Sequence, residues 1–195
     1  MLFRRLCVFC GSNTGTRLGY RAAAEQLELL LVERGIELVY GGGNIGLMGV
    51  LADTVLMRGG RAIGVIPESL MAKEVGHTGL TELRIVDSMH ERKALMSDLS
   101  DGFIALPGGF GALEEFCEVV TWSQLGLQSK PCGLLNVEGY YDPLLALFDH
   151  AVREGFLCEG NRRLVLDDED PTRLLEKMAT FRPEPVAKWI ESEER

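Results

Sequence analysis

The sequence lacks the segments and the charge balance that mark several classes of protein. None of its 195 residues belongs to an apolar run that approaches the roughly 18 residues of a membrane-spanning helix. The apolar run before Cys10 is too short for a secretory signal, and Gly11 follows at once. Basic residues are in the minority, because 20 Lys and Arg stand against 29 Asp and Glu. The formal net charge of −9 disfavours a general surface for nucleic acid or anionic membranes, so we expect a cytoplasmic protein that binds neither.

Cysteine and histidine are too few and too scattered for a disulfide framework or a metal site. The five cysteines are an odd number at separated positions. Cys7 and Cys10 form a C-x-x-C pattern, but residues three apart in a strand point to opposite faces. Two buried strand residues are therefore favoured over a redox or metal-binding pair. The three histidines show no ligand spacing, and no metal site is predicted.

What the sequence does contain is a regular alternation of short β-rich apolar runs with longer segments of helical period. This alternation is typical of βαβ units and predicts an α/β fold, a Rossmann-like doubly wound parallel sheet flanked by helices. We predict one domain over residues 1–181 and a polar tail over 182–195. The predicted strands are 4–10, 37–40, 62–66, 82–86, 102–106, 131–135 and 164–166. Residues 68–81 have weak periodicity and fit either a pocket wall or a short helix with a loop.

Three of the predicted strand-to-helix turns are rich in glycine. They contain Gly11 and Ser12 after the first strand, Gly41, Gly42 and Gly43 after the second, and Gly108, Gly109 and Gly111 after the fifth. Ligands of open parallel sheets bind beyond the carboxyl ends of the strands. Glycines and helix N-termini let backbone N–H groups approach an anion there, so we predict a phosphate-binding rim. The alternative is that these glycines only form tight turns.

Charged residues lie next to this predicted rim. Arg92 and Lys93 fall in the first turn of a helix, where a positive charge opposes the helix dipole unless an anion offsets it. Solvated surface charges are the alternative. Glu114 and Glu115 open the next helix, where carboxylates complement the dipole and can also stabilise a developing positive charge or activate water. Glycosidic cleavage needs both actions, because its transition state resembles an oxocarbenium ion. The predicted buried stripe of this helix is Leu113, Phe116, Cys117 and Val120.

The run from Pro107 to Glu115 reads PGGFGALEE and resembles the P-G-G-x-G-T-x-x-E signature of the LOG (LONELY GUY) family. These are cytokinin riboside 5′-monophosphate phosphoribohydrolases, often labelled lysine decarboxylase-like. Further blocks follow in family order over nearly the whole chain: Cys10 to Ser12 with Tyr20, Val39 to Gly43 with Gly46 to Gly49, Gly64 to Pro67, Met89 to Lys93, and Leu134 to Tyr141.

This resemblance implies hydrolysis of nucleoside 5′-monophosphates such as N6-isopentenyl-AMP, and often AMP, to free base and ribose 5-phosphate. It implies no metal ion, no organic cofactor and a homodimer with helices near the site packed across the interface. Arg92 and Glu115 match the family's catalytic pair. Substrate-contacting positions are matched by Glu74, Lys93, Gly109, Phe110, Gly111, Ala112, Leu113, Glu114 and Thr121. Ala112 replaces the Thr of the signature, so a hydroxyl that could contact phosphate or cap the helix is absent.

Two other functions fit parts of the sequence. An NAD-dependent oxidoreductase would use the G-x-G-x-x-G pattern from Gly41 to Gly46 with Glu68 near the expected acidic position, but that pattern follows the second strand rather than the first. A nucleotide-binding or carrier protein without turnover would need neither Arg92 nor Glu115, and the presence of both favours chemistry. Lysine decarboxylation is disfavoured, because no lysine has a recognisable pyridoxal-phosphate context.

Overall fold

The structure, a computed structural model, describes residues 3–71 and 76–182. Strands and helices alternate through these ranges, as the sequence predicts. The strands are β1 (Arg5–Phe9), β2 (Glu37–Tyr40), β3 (Ala62–Pro67), β4 (Glu82–Val86), β5 (Phe103–Ala105), β6 (Cys132–Leu135) and β7 (Val165–Asp168). The helices are α1 (Leu18–Glu33), α2 (Gly46–Met57), α3 (Glu68–Met71), α4 (Met89–Leu99), α5 (Phe110–Gln124), α6 (Asp142–Arg153), α7 (Glu159–Arg162) and α8 (Pro171–Thr180).

The strands form one parallel sheet in the order β4-β3-β2-β1-β5-β6-β7. From β1 the chain builds outward to β4, then returns to the other side of β1, where Cys7 pairs with Phe103 of β5. The strand order therefore reverses between β1 and β5. Ligands of doubly wound folds bind in the crevice at such a switch point. The predicted fold class is confirmed, and the switch point locates the site.

Apolar side chains cover both faces of the sheet. One cluster contains Leu27, Leu51 and Leu174, and the other contains Phe103 and Phe116. All six residues of β3 are buried, which explains why this strand is apolar throughout rather than alternating. Among the helices of residues 3–71 and 76–182, none combines the length and the apolar composition of a membrane span.

The structure corrects the predicted stripe of α5. Ala112, Phe116 and Val119 are the buried residues, whereas Leu113 is only partly buried. Phe116 is buried as predicted, and Leu113 and Val120 pack at the edge of the core, but the centre of the buried face lies at Ala112, Phe116 and Val119. A 3₁₀ turn at Val137–Gly139 and helix α7 were not predicted, because such short elements show no periodicity. Apart from Arg182, the predicted polar tail lies outside the described residues.

Glu28 is an acidic residue inside the hydrophobic core. It lies on α1 beside Leu27 and is 0% exposed. Neither of its carboxylate oxygens has a hydrogen-bond partner within the part of the chain described. Burial raises the pKa of Glu28 well above its ordinary value. The side chain therefore keeps its proton to a higher pH in the folded state than in the unfolded chain.

Replacing Glu28 with Gln is expected to flatten the fall in stability that occurs as the pH rises from the unfolded-state pKa of Glu28 to its raised folded-state pKa. The contribution of the protonated Glu28 carboxyl is fully present below the unfolded-state pKa and is lost as the pH rises through the raised folded-state pKa. This loss has a slope of up to about 1.4 kcal/mol per pH unit, and Gln has no proton to lose. Urea unfolding of both chains from acidic to alkaline pH measures the difference. Identical pH dependence in the two chains would contradict the prediction.

Candidate active site

The turns after β1, β2 and β5 meet at the switch point. The Gly11 N–H donates to the Pro107 carbonyl at 3.1 Å, and the Leu47 N–H donates to the Gly11 carbonyl at 3.1 Å. Gly46 has a φ of 59°, and a Cβ there would overlap the backbone of Ser12. Contacts within the protein therefore shape this second glycine turn. They account for its G-x-G-x-x-G pattern without a bound dinucleotide.

A cavity of about 260 Å³ opens where these turns meet. It brings together Arg92 of α4 with Glu114 and Glu115 of α5. Its other lining residues are Cys10, Gly11, Ser12, Met48, Leu70, Met89, Gly109, Phe110, Gly111 and Ala112. We call it the first cavity. Ten of the residues selected from the sequence line the first cavity or a neighbouring one described below.

Arg92 is held at the first cavity by a contact that depends on Gly41. Its side chain is buried, and the residue is only 5% exposed, so the alternative of a solvated surface charge is wrong. Its Nη2 donates to the Gly41 carbonyl at 3.1 Å, and its Nη1 contacts the Met89 sulfur at 3.7 Å. A Cβ on Gly41 would overlap Nη2. Glycine at this position is therefore required by the arginine rather than by its own backbone.

The start of α4 places Arg92 in the first turn. The Ser88 hydroxyl accepts from the Glu91 N–H at 3.1 Å, and the Glu91 carboxylate accepts from the Asp87 N–H at 3.0 Å. These reciprocal contacts satisfy backbone donors that a helix start leaves without partners. They fix the residue at which α4 begins, and thereby the direction of the Arg92 side chain.

The N-terminus of α5 faces the same cavity. Gly109 precedes the helix without a side-chain cap, and a Cβ at Gly109 or Gly111 would meet nothing within 4 Å. The first-turn N–H groups of a helix have no acceptor within it, and the dipole adds partial positive charge there. This end of α5 can bind an anion such as phosphate. Glu115 lies one turn further along and is partly buried.

Cys10 lies on the wall of the first cavity, but it is not a reactive thiol. Burial raises its pKa well above the ordinary value, and the nearby Glu115 and Glu28 raise it further. Arg92 lowers the pKa by a smaller amount. A protonated thiol is a poor nucleophile. Among the described residues, no group of three His, Cys, Asp or Glu side chains could hold a metal ion.

A second cavity of about 230 Å³ adjoins the first and shares Gly11, Ser12 and Gly109 with it. Its remaining lining residues are Asn13, Thr14, Gly15, Tyr20, Leu47, Pro107, Gly108 and Tyr140. The lining carries hydroxyl and amide groups but no charged side chain. Residues of the turns after β1 and β5 therefore form part of the wall of both cavities.

Lys93, Leu113 and Thr121 line neither cavity. The Lys93 ammonium pairs with Glu114 at 2.5 Å and with Glu118 at 3.0 Å. Burial by itself lowers the pKa of Lys93, but the hydrogen bonds and the charge attraction of Glu114 and Glu118 together outweigh it, and the pKa lies above the ordinary value. Leu113 is partly buried, and the Thr121 hydroxyl donates to the Cys117 carbonyl within α5. Their predicted substrate contacts stay predictions.

Gly42 and Gly43 are also absent from the two cavity walls. Both are buried, the Gly42 carbonyl accepts from the His77 N–H at 2.9 Å, and Gly43 forms an antiparallel bridge with Gly76. These contacts hold residues 76–77 against the turn that follows β2. Glu74, a predicted substrate contact, lies outside the described residues.

Apolar residues of the first cavity were missed from the sequence. Met48, Leu70 and Met89 form part of its wall. Each is an apolar residue in or near the start of a helix, where packing in the core is the simplest expectation. Met48 and Met89 lie within the sequence blocks that resemble the family, and this was the only signal in the sequence that could have placed them at the site.

Comparison with known proteins identifies the family. A family described as possible lysine decarboxylase matches residues 48–178. A protein of Oryza sativa subsp. japonica named probable cytokinin riboside 5′-monophosphate phosphoribohydrolase is 55% identical over 92% of this chain and 80% of its own. The cytokinin riboside 5′-monophosphate phosphoribohydrolase LOG of the same plant is 53% identical over 93% and 75%. An Arabidopsis thaliana enzyme of this name is 49% identical over 93% and 85%. The chain belongs to the LOG family.

Solved structures extend the likeness of this LOG chain at the level of the fold. A molybdenum cofactor binding protein from Rippkaea orientalis superposes with a TM-score of 0.66 at 20% identity, over 90% of this chain and 95% of its own. A molybdenum cofactor carrier protein from Chlamydomonas reinhardtii also gives 0.66, at 17% identity, over 91% and 98%. At these identities the likeness shows the fold alone.

The LOG signature departs from its pattern at Ala112. This residue lines the first cavity and is only 3% exposed. Its methyl group lies so near Gly108 that a Cβ on that glycine would come within 2.6 Å of it. The alanine therefore fills the base of the turn, and it offers the cavity no hydroxyl.

Proposed function

We propose that this chain hydrolyses the N-glycosidic bond of adenosine 5′-monophosphates, including N6-modified ones, to free base and ribose 5-phosphate. The observation that carries the proposal is one cavity lined by Arg92, Glu115 and the open N-terminus of α5. Relatives that are 49% to 55% identical are named for this reaction, which supports it.

The 5′-phosphate is proposed to bind at the start of α5. Gly109, Phe110 and Gly111 bring first-turn N–H groups to the cavity wall, and the helix dipole favours an anion there. Anchoring the phosphate fixes the ribose relative to Glu115, which lies one turn further along the helix. Such anchoring lowers the entropic part of the barrier, because the reacting bond no longer has to find its position.

Glu115 and Arg92 are proposed to divide the chemistry. The Glu115 carboxylate stabilises the positive charge that develops on the ribosyl carbon, and it positions the attacking water. Arg92 is anchored to the Gly41 carbonyl and contributes a fixed positive charge. That charge binds the substrate anion and orients Glu115. Water supplies the C1 hydroxyl of ribose 5-phosphate: its oxygen and one hydrogen stay on the ribose, and its other proton passes to the departing base.

The apolar part of the wall is proposed to receive the base. Met48, Leu70 and Met89 provide apolar surface, and Phe110 is 94% exposed at the cavity edge. Burying an apolar N6 substituent against these side chains contributes roughly 25 cal/mol per Å² of buried area. This favours N6-isopentenyl-AMP over AMP in affinity.

We propose a second copy of the chain as the protein partner. Exposed apolar side chains lie at both ends of α5, with Phe110 at the start and Leu125 and Leu127 after the end. Large apolar side chains that are left exposed along one helix are candidates for burial in an interface. The family resemblance implies a homodimer whose helices pack near the site, and these side chains supply a surface for it.

The purified chain incubated with AMP and with N6-isopentenyl-AMP tests the function. Free base and ribose 5-phosphate, separated by chromatography, are expected in equal amounts from either substrate. Binding of both nucleotides without release would overturn the proposal and place the chain among nucleotide-binding proteins without turnover.

Replacing Ala112 with Thr is expected to lower the Michaelis constant for AMP. A hydroxyl at this first-turn position would add a hydrogen-bond donor beside the proposed phosphate. Replacement with Val is the matched control, because it has the same shape without the hydroxyl and is not expected to lower the constant. Steady-state kinetics of the three chains decide the matter, and an unchanged or higher constant with Thr would count against the placement of the phosphate.

A further inference from the structure

The segment between β6 and α6 makes contacts that the proposed function has not used. Two consecutive tyrosines end this segment. The Tyr141 hydroxyl donates to the Leu106 carbonyl at 2.7 Å, and the Tyr140 hydroxyl donates to the Gly108 carbonyl at 2.6 Å. Both acceptors belong to the turn that precedes α5. Burial raises the pKa of Tyr141, so its hydroxyl remains a donor.

The two tyrosines and the turn after β1 together hold three successive carbonyls. The Pro107 carbonyl lies between the other two and accepts from the Gly11 N–H at 3.1 Å. The C=O and N–H of a trans peptide point in opposite directions. Fixing the Gly108 carbonyl therefore also fixes the N–H of Gly109, the residue that caps α5 and lines both cavities.

The tyrosine segment is itself firmly held. The Asn136 side chain is buried, accepts from the Tyr141 N–H at 2.7 Å and donates to the Asp142 carboxylate at 2.7 Å. Glu138 has a φ of 51°, a left-handed conformation that residues other than glycine rarely adopt. Its carboxylate pairs with Arg17 at 3.1 Å. Such a conformation persists only where its surroundings enforce it, and functional sites are where it is concentrated.

We propose that Tyr140 and Tyr141 are positioning residues for the 5′-phosphate, because their hydroxyls orient the peptide groups that lead into α5. The inference rests on the proposed function, in which that helix end binds the phosphate. The tyrosines touch backbone carbonyls rather than the reacting atoms. Their removal therefore affects recognition of the phosphate, while binding of the nucleoside part is left unchanged.

The test compares the affinity for AMP with that for adenosine in Tyr140→Phe and Tyr141→Phe chains. All chains also carry Glu115→Gln, so that AMP is not consumed during calorimetry. We expect AMP to bind about threefold to tenfold more weakly, the equivalent of one lost hydrogen bond, with adenosine unchanged. Tyr40→Phe is the matched control, because the buried Tyr40 hydroxyl has no hydrogen-bond partner among the described residues.

A general structural role predicts a different pattern. Loss of affinity for AMP and adenosine together, or for neither, in both tyrosine variants would overturn the inference. Tyr140 is partly exposed, so its variant remains informative if Tyr141→Phe folds poorly. Turnover by the wild-type chain is measured separately. Absence of turnover would overturn the proposed function, whereas the binding ratio would still decide the role of the tyrosines.

Discussion

Replacing Glu115 with Gln is expected to lower the turnover of N6-isopentenyl-AMP by about 10²-fold to 10⁴-fold. Gln has nearly the same shape as Glu but no negative charge, so it can neither stabilise the ribosyl cation nor act as a base. Glu115 lines the first cavity, whereas the proposed phosphate contacts come from the residues before it. The Michaelis constant is therefore expected to change far less than kcat.

Glu118→Gln is the matched control for this prediction. Glu118 is a partly buried carboxylate one turn further along α5, and it does not line the first cavity. It is expected to retain most of the activity, because its ionic partner is Lys93 rather than the substrate. Release of base at the wild-type rate by Glu115→Gln would remove Glu115 from the chemistry.

Replacing Gly41 with Ala is expected to reduce kcat/KM by about 10²-fold, because the added methyl displaces the Arg92 guanidinium by about 1 Å. The added methyl would overlap the Arg92 Nη2, which now donates to the carbonyl of the same glycine. The buried guanidinium has to move out of its position to make room. The same overlap is expected to lower the thermal stability of the folded chain.

A double-mutant cycle with Arg92→Ala gives this prediction its control. When Arg92 is truncated, the methyl of Ala at position 41 meets no guanidinium, so the second substitution is expected to add little further loss. Residues that act through one contact show this lack of additivity, whereas independent residues do not. Kinetics and thermal melts of the four chains measure the coupling. Additive losses would show that Gly41 matters for a reason other than Arg92.

The agreement between sequence and structure is greatest where one rule dominates. The bounds of β2 and β4 match their prediction residue for residue, because each is a short segment rich in apolar and β-branched residues between turn-forming residues. The agreement is poorest for individual side chains of the site. Arg92 and Lys93 are neighbours in the first turn of one helix and were both predicted to lie at the site, yet only Arg92 lines the first cavity. Successive residues on a helix point about 100° apart, so the orientation of α4 separates them.

The sequence by itself determined the parallel α/β fold, the rim on which a ligand would bind and the membership of Arg92 and Glu115 in one site. Alternating strands and helices fix that topology, and the topology gathers the strand-to-helix turns at one edge. Only the tertiary structure decided which atoms meet there. The Gly41 carbonyl holds Arg92 across 51 positions of chain, and Tyr140 reaches Gly108 across 32. Such contacts depend on how side chains pack between segments that are distant in sequence, and local patterns carry no record of that packing.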